Sequence, residues 1–385
     1  MRVDNNWVPT FPNARYLLGR VEYRATQARD QIVVATSADS WKVVQRAEEL
    51  GFSHAWFYDT QMLCADCFVA MGAAAMKTSR IRLGTGVLVP SNRIAPVTAN
   101  AFATLNKLAP GRIDFGVGTG FTARRAMGMD AIKLAEMEEY IRIVYGLLRE
   151  ETVEAEFEGQ RHKIRFLNPE LGLINTRDPI ALHVSAYGPR ARAFVAKMGA
   201  GWVNFVGDLK SACAALEDFQ KGWVAVEKPR SDLSAVAFSV GCVLDPGEPY
   251  DSPRAMAQAG PRAALYLHRA ADEALAGLRN SSPIDPSAQE AARAFIEVAR
   301  NYQPEDARYL SNHRGHLMFV RPEERPFVIA DLIRTSTFTA TQKELIERIG
   351  VMRDAGYTQF AIQITQGQED SIQDWAKVMD AFRKI

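Results

Sequence analysis

The chain has 385 residues, with 46 basic and 45 acidic side chains and 47% hydrophobic residues. That length holds one large domain or two ordinary ones, with enough apolar material for a large core. A net charge of +1 gives no electrostatic case for binding nucleic acid or an anionic membrane. No apolar run approaches ~20 residues, so no membrane span is expected.

The first residues, "MRVDNNWVPTFPNARYLLGR", lack the apolar core of a secretory signal, so a soluble cytoplasmic protein is expected. Residues 1–30 read as an extension, and 31–385 as one domain. "QIVVATS" is a β-branched run that predicts a buried strand. "DSWKVVQRAEELG" has helical periodicity, with Asp39 or Ser40 as N-cap and Gly51 as C-cap. "HAWFYDT" predicts the next strand and "CADCFVAMGAAAMKTS" the next helix. Cys64 and Cys67 form a C-x-x-C, but a metal half-site needs a second pair and none has suitable spacing. Their run reads as a buried helix with small packing residues.

Strand "IRLGTGVLV", helix "PVTANAFATLNKLAPG", strand "IDFGVGTG" and helix "KLAEMEEYIRIVYGLLRE" follow. Four β-α units in about 120 residues predict a parallel sheet with helices outside. "VEAEFEGQRHKIRFLN" is an excursion of short strands, and its basic run "EGQRHKIRF" reads as a solvated edge. "IALHVSA" with "RARAFVAKMG", and "GWVNFV" with "LKSACAALEDFQKGWVAVE", make a fifth and sixth unit, and "LSAVAFSVGCVLD" is a seventh strand. A mostly helical insertion over 246–339 precedes the closing helix, strand and helix. Eight evenly spaced units predict an α/β fold, a (β/α)8 TIM barrel, over a doubly wound open sheet.

In such a barrel the chemistry lies at the C-terminal strand ends. Five clusters then ring one mouth: Thr36-Ser37, Asp59-Thr60-Gln61, Gly86 to Pro90, Thr119 to Arg125, and Ser185 to Arg190. "GVGTGFTARR" lacks the G-K-[ST] ending of a P-loop, and Phe121 stands where a dinucleotide fingerprint needs its third glycine. Its glycines still permit close backbone approach to a ligand. The following helix start, Thr119, Thr122, Arg124 and Arg125 favour an anion. "SAYGPRARAF" is a second candidate of the same kind.

The runs "IRLGTGVLVP", "ATLNKLAPGR" and "DFGVGTG", occurring together in this order, resemble the bacterial luciferase-like superfamily. The resemblance covers 31 to about 206 and returns with "MRDAGYTQFAIQI". It looks closest to methylenetetrahydromethanopterin reductase-like proteins, of the deazaflavin branch. It implies a barrel that binds reduced FMN or coenzyme F-420. By that likeness Gly86-Val87 matches a non-proline cis peptide behind the flavin ring. Asp59 and Val89 match contacts near the ring, and Thr119, Gly120 and Arg124 match contacts from the glycine loop. Tyr187, Gly188, Arg190 and Ala191 match a phosphate-binding turn. Two departures stand out: Thr60 replaces the catalytic histidine of sugar-phosphate dehydrogenase relatives, and Phe121 replaces their glutamate.

Histidine is the usual acid-base group near neutral pH. His54 opens a strand, at the far end of the barrel, and His183 lies within one. His313 and His316 are three apart and would share a face of a helix. A metal site there needs a third ligand that nothing close supplies, so no metal is expected. With Thr60, they are the catalytic candidates. The expectation drawn is a flavin-dependent oxidoreductase acting on a small molecule, with FMNH2, a partner flavin reductase and O2 as the leading reading. Hydride transfer with F-420 is the alternative, and a non-catalytic flavin-binding protein the second alternative. A homodimer or higher homo-oligomer is expected, partly by family likeness.

Overall fold

A computed structural model describes residues 29–278 and 285–384. Eight parallel strands close into a barrel: β1 (Arg29–Val34), β2 (His54–Phe57), β3 (Arg82–Thr85), β4 (Ile113–Val117), β5 (Ala181–Ser185), β6 (Gly201–Phe205), β7 (Ala235–Val240) and β8 (Gln359–Ile364). The (β/α)8 expectation is met. The expected N-terminal extension lies outside the described residues except for Arg29 and Asp30, which open β1 two residues before the predicted start.

Closure joins the two ends of the chain. β1 pairs with β8 from Arg29 opposite Gln359 to Val34 opposite Ile364, and with β2 on its other side. The strands are buried on both faces, as the β-branched and aromatic runs demand. Outward residues such as Ile32, Phe57, Leu83, Phe115 and Val184 pack under the helices. Inward residues fill the barrel with Val33, Trp56, Val203, Val236, Phe238 and Ala361. Three polar side chains low in the barrel form a chain: Trp56 Nε1 donates to Gln31 Oε1 at 2.7 Å, and Gln31 in turn donates to Gln359.

The excursion after the fourth unit is an antiparallel hairpin, Val153–Phe157 with Gln160–Ile164, its second strand mostly exposed. Between Leu244 and Ala340 the chain leaves the barrel and builds helices at Pro253–Gln258, Gly260–Ala276, Gln289–Arg300, Tyr309–Asn312 and Ala330–Ser336. They have their own alanine-rich core with Leu267, Phe295, Leu332 and Ile333. Helix Gln289–Arg300 shows why: Ala292, Phe295 and Ala299 fall on one face and are its buried residues. A two-residue parallel pairing, Val243–Leu244 with Ala340–Thr341, ties the two ends of this excursion together. Among the described residues no helix is long and apolar enough to cross a membrane.

Candidate active site at the barrel mouth

Past β3 the chain turns through a cis peptide at Gly86-Val87 and continues along β4. Leu88 N–H donates to Gly116 O at 2.8 Å, and Gly118 N–H donates to Leu88 O at 3.0 Å. The glycines opposite are spaced to receive this segment. A Cβ on Gly116 would sit 2.0 Å from Thr85 O, one on Gly118 2.8 Å from Val87 Cγ2, and one on Gly120 2.5 Å from Val89 Cγ1. Residues 116, 118 and 120 thus face 85, 87 and 89 in register. Thr85 locks the seam, its Oγ1 donating to Gly116 O at 2.6 Å and accepting from Gly116 N–H at 3.1 Å. The result is a wall of backbone and valine side chains at the mouth. Close backbone packing is the first reason for the glycines, beside the approach to a ligand expected from the sequence.

Asp59 supports this wall from behind. Val89 N–H and Asn92 Nδ2 donate to its Oδ2 at 3.0 and 3.2 Å, and Arg93 Nη1 donates to Oδ1 at 2.8 Å. The carboxylate is buried. Three partners lie on Val89–Arg93 and a fourth, Cys67 Sγ, donates to Oδ1 at 3.6 Å, so Asp59 positions Val89 rather than offering a free acid. Thr60 donates weakly to Cys64 Sγ at 3.5 Å. Cys64 and Cys67 are free thiols, and burial pushes both up. Helix Cys67–Ala75 starts at the second cysteine, with Asp66 as N-cap.

The helix after the glycines is short, Phe121–Arg125, and Gly120 before it has a φ of 80°. Both its arginines are engaged. Arg124 Nε donates to Asp130 O. Arg125 is buried against Asp272 of the insertion, Nη1 to Oδ2 3.0 Å. Its guanidinium also lies 3.6 Å from the centre of the Phe121 ring, with Arg269 5.5 Å from the same ring. The sequence reading placed Arg125 as an anion-binding charge; the fold makes it a buried strut instead. Thr119 stays partly open, and Thr122 Oγ1 meets His316 Nε2 at 3.3 Å.

The second predicted turn is open. Helix Pro189–Met198 starts at Gly188, where a Cβ would meet nothing within 4 Å. Tyr187 stacks on Phe205, 6.3 Å between ring centres, and Arg190 is exposed. Arg192 pairs with Asp218. The peptide N–H groups opening this ten-residue helix, with Arg190 beside them, form an anion-ready feature.

Apart from His162 on the exposed hairpin, the histidines divide between the two ends of the barrel. His54 stacks on Trp56, and His183 meets the same ring edge-on. Their Nε2 atoms lie 3.7 and 3.8 Å from Asp114, which also takes a two-pronged Arg82 at 2.8 Å. Burial would raise the Asp114 carboxyl, but Arg82, His183 and His54 together hold it well below the usual carboxylate range. This is a structural knot low in the barrel. His313 and His316 are buried in the insertion, in a turn after helix Tyr309–Asn312 rather than on one helix. Within that turn Gly315 and Leu317 take left-handed conformations, φ 74° and 61°. His268, 45 positions before His313, packs against both. The expectation that no third group lies close is therefore corrected. Sequence spacing could not find it, because only the packing of two insertion elements brings it there.

The turn His313–Leu317 closes over the barrel. Leu317 packs on the apolar barrel interior, and Gln363 Nε2 donates to Leu317 O at 2.8 Å. Gln363 also accepts from the Tyr58 hydroxyl. The insertion is thus tied to the mouth at Arg125, Thr122 and Gln363.

A family model described as luciferase-like monooxygenase matches residues 23–359. An F-420-dependent glucose-6-phosphate dehydrogenase of Kineococcus radiotolerans is 33% identical over 175 residues, 41% of this chain and 49% of that protein. A 5,10-methylenetetrahydromethanopterin reductase of Archaeoglobus fulgidus is 29% identical over 199 residues, 51% of this chain and 58% of that protein. The chain therefore spans about half the length of the curated relatives it matches. In the solved structure of the coenzyme F-420-dependent tetrahydromethanopterin reductase from Methanopyrus kandleri the same fold covers 93% of this chain and 99% of that one, with a TM-score of 0.66 and 17% identity.

Proposed function

The chain belongs to the luciferase-like monooxygenase family, and from that premise we propose that it exchanges a hydride between coenzyme F-420 and a small carbonyl, imine or enoyl-type substrate. The wall carries the reading: Thr85 to Val89, laid against three glycines, offers a planar ring backbone and valine side chains without a charged head. The kind of ring is supported by relatives whose names specify F-420. This reverses the preference for FMN drawn from the sequence.

The residues present fit such a cofactor. Gly86, Val87 and Val89 would back the ring, with Asp59 holding Val89 in place through its N–H. Thr119 and Gly120 line the same edge. Tyr187, Gly188, Arg190 and Ala191 would take the phosphate at the open helix start, where nothing within 4 Å of Gly188 obstructs approach. Bound there, the deazaflavin supplies or accepts the hydride, and the protein supplies position and water exclusion. The lid turn His313–Leu317 helps with the second task, since Leu317 caps the apolar interior.

A second reading, oxygenation with FMNH2 from a partner reductase, draws on two residues. Thr60 and Phe121 stand where the dehydrogenase relatives carry a histidine and a glutamate. The Phe121 ring is packed between two arginines and cannot stand in for an acid. The test is anaerobic mixing of the purified protein with reduced F-420 and a panel of carbonyl, imine and enoyl compounds. The proposal expects return of the oxidised deazaflavin chromophore with at least one compound. Oxygen uptake and an oxygenated product with FMNH2, without any F-420 turnover, would replace it with the second reading.

A further inference from the structure

His268 comes from the middle of helix Gly260–Ala276, and His313 and His316 from the turn after helix Tyr309–Asn312. All three are nearly fully buried, at 1%, 3% and 4% exposure. One ring nitrogen from each lies within 4.8 Å of the other two. The ring centres form a near-equilateral triangle of 6.2, 5.7 and 5.6 Å. Each Nε2 faces an oxygen: Glu324 Oε1 for His268, Asp272 Oδ2 at 3.3 Å for His313, and Thr122 Oγ1 at 3.3 Å for His316. Each Nδ1, and His313 Nε2 as well, is buried with no hydrogen-bond partner among the described residues.

Three buried histidines with ring nitrogens this close, and an unpartnered Nδ1 on each, are unfavourable in a protein interior unless something shared satisfies them. We propose that His268, His313 and His316 form a mononuclear site for a divalent transition-metal ion, zinc first, that fastens the insertion over the barrel mouth.

The donor set selects the metal class. Imidazole nitrogen suits zinc, cobalt, nickel and copper, whereas magnesium and calcium want oxygen. Three protein nitrogens leave a fourth position for water or another small ligand. Zinc–nitrogen bonds of about 2.0–2.1 Å would draw the three atoms to roughly 3.3 Å apart. The outer partners follow a known pattern, in which the non-ligating nitrogen binds a carboxylate or other oxygen that fixes the ring. Burial lowers the proton affinity of His268 and His316, and His313, His268, Arg269 and Arg262 add to the effect on His316. The same arginines favour an anionic fourth ligand. A cleft of about 350 Å³, lined by Arg125, Asp272, Tyr302, Tyr309 and Asn312, extends to His313 at the edge of the cluster. The bound ion would join helix Gly260–Ala276 to the lid turn and, through Thr122, to the glycine-loop helix.

The test uses the full chain, treated with chelator, dialysed and titrated with zinc and separately with cobalt. The expected result is one equivalent per chain, ligand-field bands of four-coordinate cobalt, and a higher Tm with metal. His313→Gln and His316→Gln should lose the equivalent and the cobalt bands, while His162→Ala on the exposed hairpin keeps both. Should the histidine variants fold poorly, Thr122→Val decides: it removes only the orienting hydroxyl and should weaken zinc by about 10-fold or more. Stoichiometry below about one tenth, octahedral cobalt spectra, or unchanged zinc affinity in these variants would overturn the site. None of these readouts involves F-420, so this proposal and the proposed activity fail separately.

Discussion

Gly116 has no room for a methyl group, because a Cβ there would stand 2.0 Å from the Thr85 carbonyl oxygen. Gly116→Ala is expected to cost about 2–3 kcal/mol, the scale of an overpacked core, in urea unfolding. Gly188→Ala, where a Cβ meets nothing within 4 Å, should stay within about 0.5 kcal/mol of the parent. Equal losses at both positions would remove the packing explanation for the glycine loop. A second prediction concerns Asp30. Burial pushes its carboxyl up to about 7, with Arg383 Nη2 at 3.1 Å offsetting part of the effect. A raised carboxylate pKa favours the folded state below the unfolded pKa and loses that contribution as pH rises through the folded value. Relative to Asp30→Asn, the parent should therefore lose stability between pH of about 4 and 7, by at most on the order of 4 kcal/mol, in denaturation midpoints. A constant difference over that window would contradict it. At this scale the sequence was half legible. The family likeness placed the cis step at Gly86-Val87 and flagged Asp59 and Val89. The register of 116, 118 and 120 against 85, 87 and 89 was hidden, because a glycine's reason lies in the neighbour it faces, here 31 positions away.

The insertion meets the barrel through contacts of large sequence separation. Arg125 with Asp272 spans 147 positions and Thr122 with His316 spans 194. Arg125→Met keeps much of the apolar stem but leaves Asp272 with His313 and Asn312 among the described residues. Breaking a buried pair from one side predicts a loss on the order of 3 kcal/mol. Local opening should concentrate in the contacts of 253–336 with the mouth, so hydrogen exchange should quicken there while the helices around the barrel keep their protection. Uniform loss of protection would show that the insertion and barrel unfold as one unit. The elements themselves were readable, since helices announce themselves by periodicity and strands by β-branched runs. Their ends were less so: β1 begins two residues early, and the predicted shared helix of His313 and His316 is a turn broken at Gly315. The convergence of His268 on that turn was invisible, because local pattern carries no information on which helix faces which loop.

For the whole molecule, barrel topology puts the glycine-lined wall, the open helix start at Gly188 and the lid turn around one mouth, while the Asp114 knot stays low in the barrel. Eight regularly spaced β-α units made that architecture legible, and the quoted runs made the family legible. The cofactor was not. FMN and deazaflavin rings share a planar face that such a wall fits equally, and the two departures, Thr60 and Phe121, pull the reading away from the F-420 relatives. The most direct test is equilibrium titration of one purified preparation with F-420 and FMN, each oxidised and reduced. Saturable F-420 binding at least about tenfold tighter than FMN, weakened by Gly118→Ala where a Cβ would press on Val87, is the result predicted. Tight FMNH2 binding with no saturable binding of F-420 would contradict it.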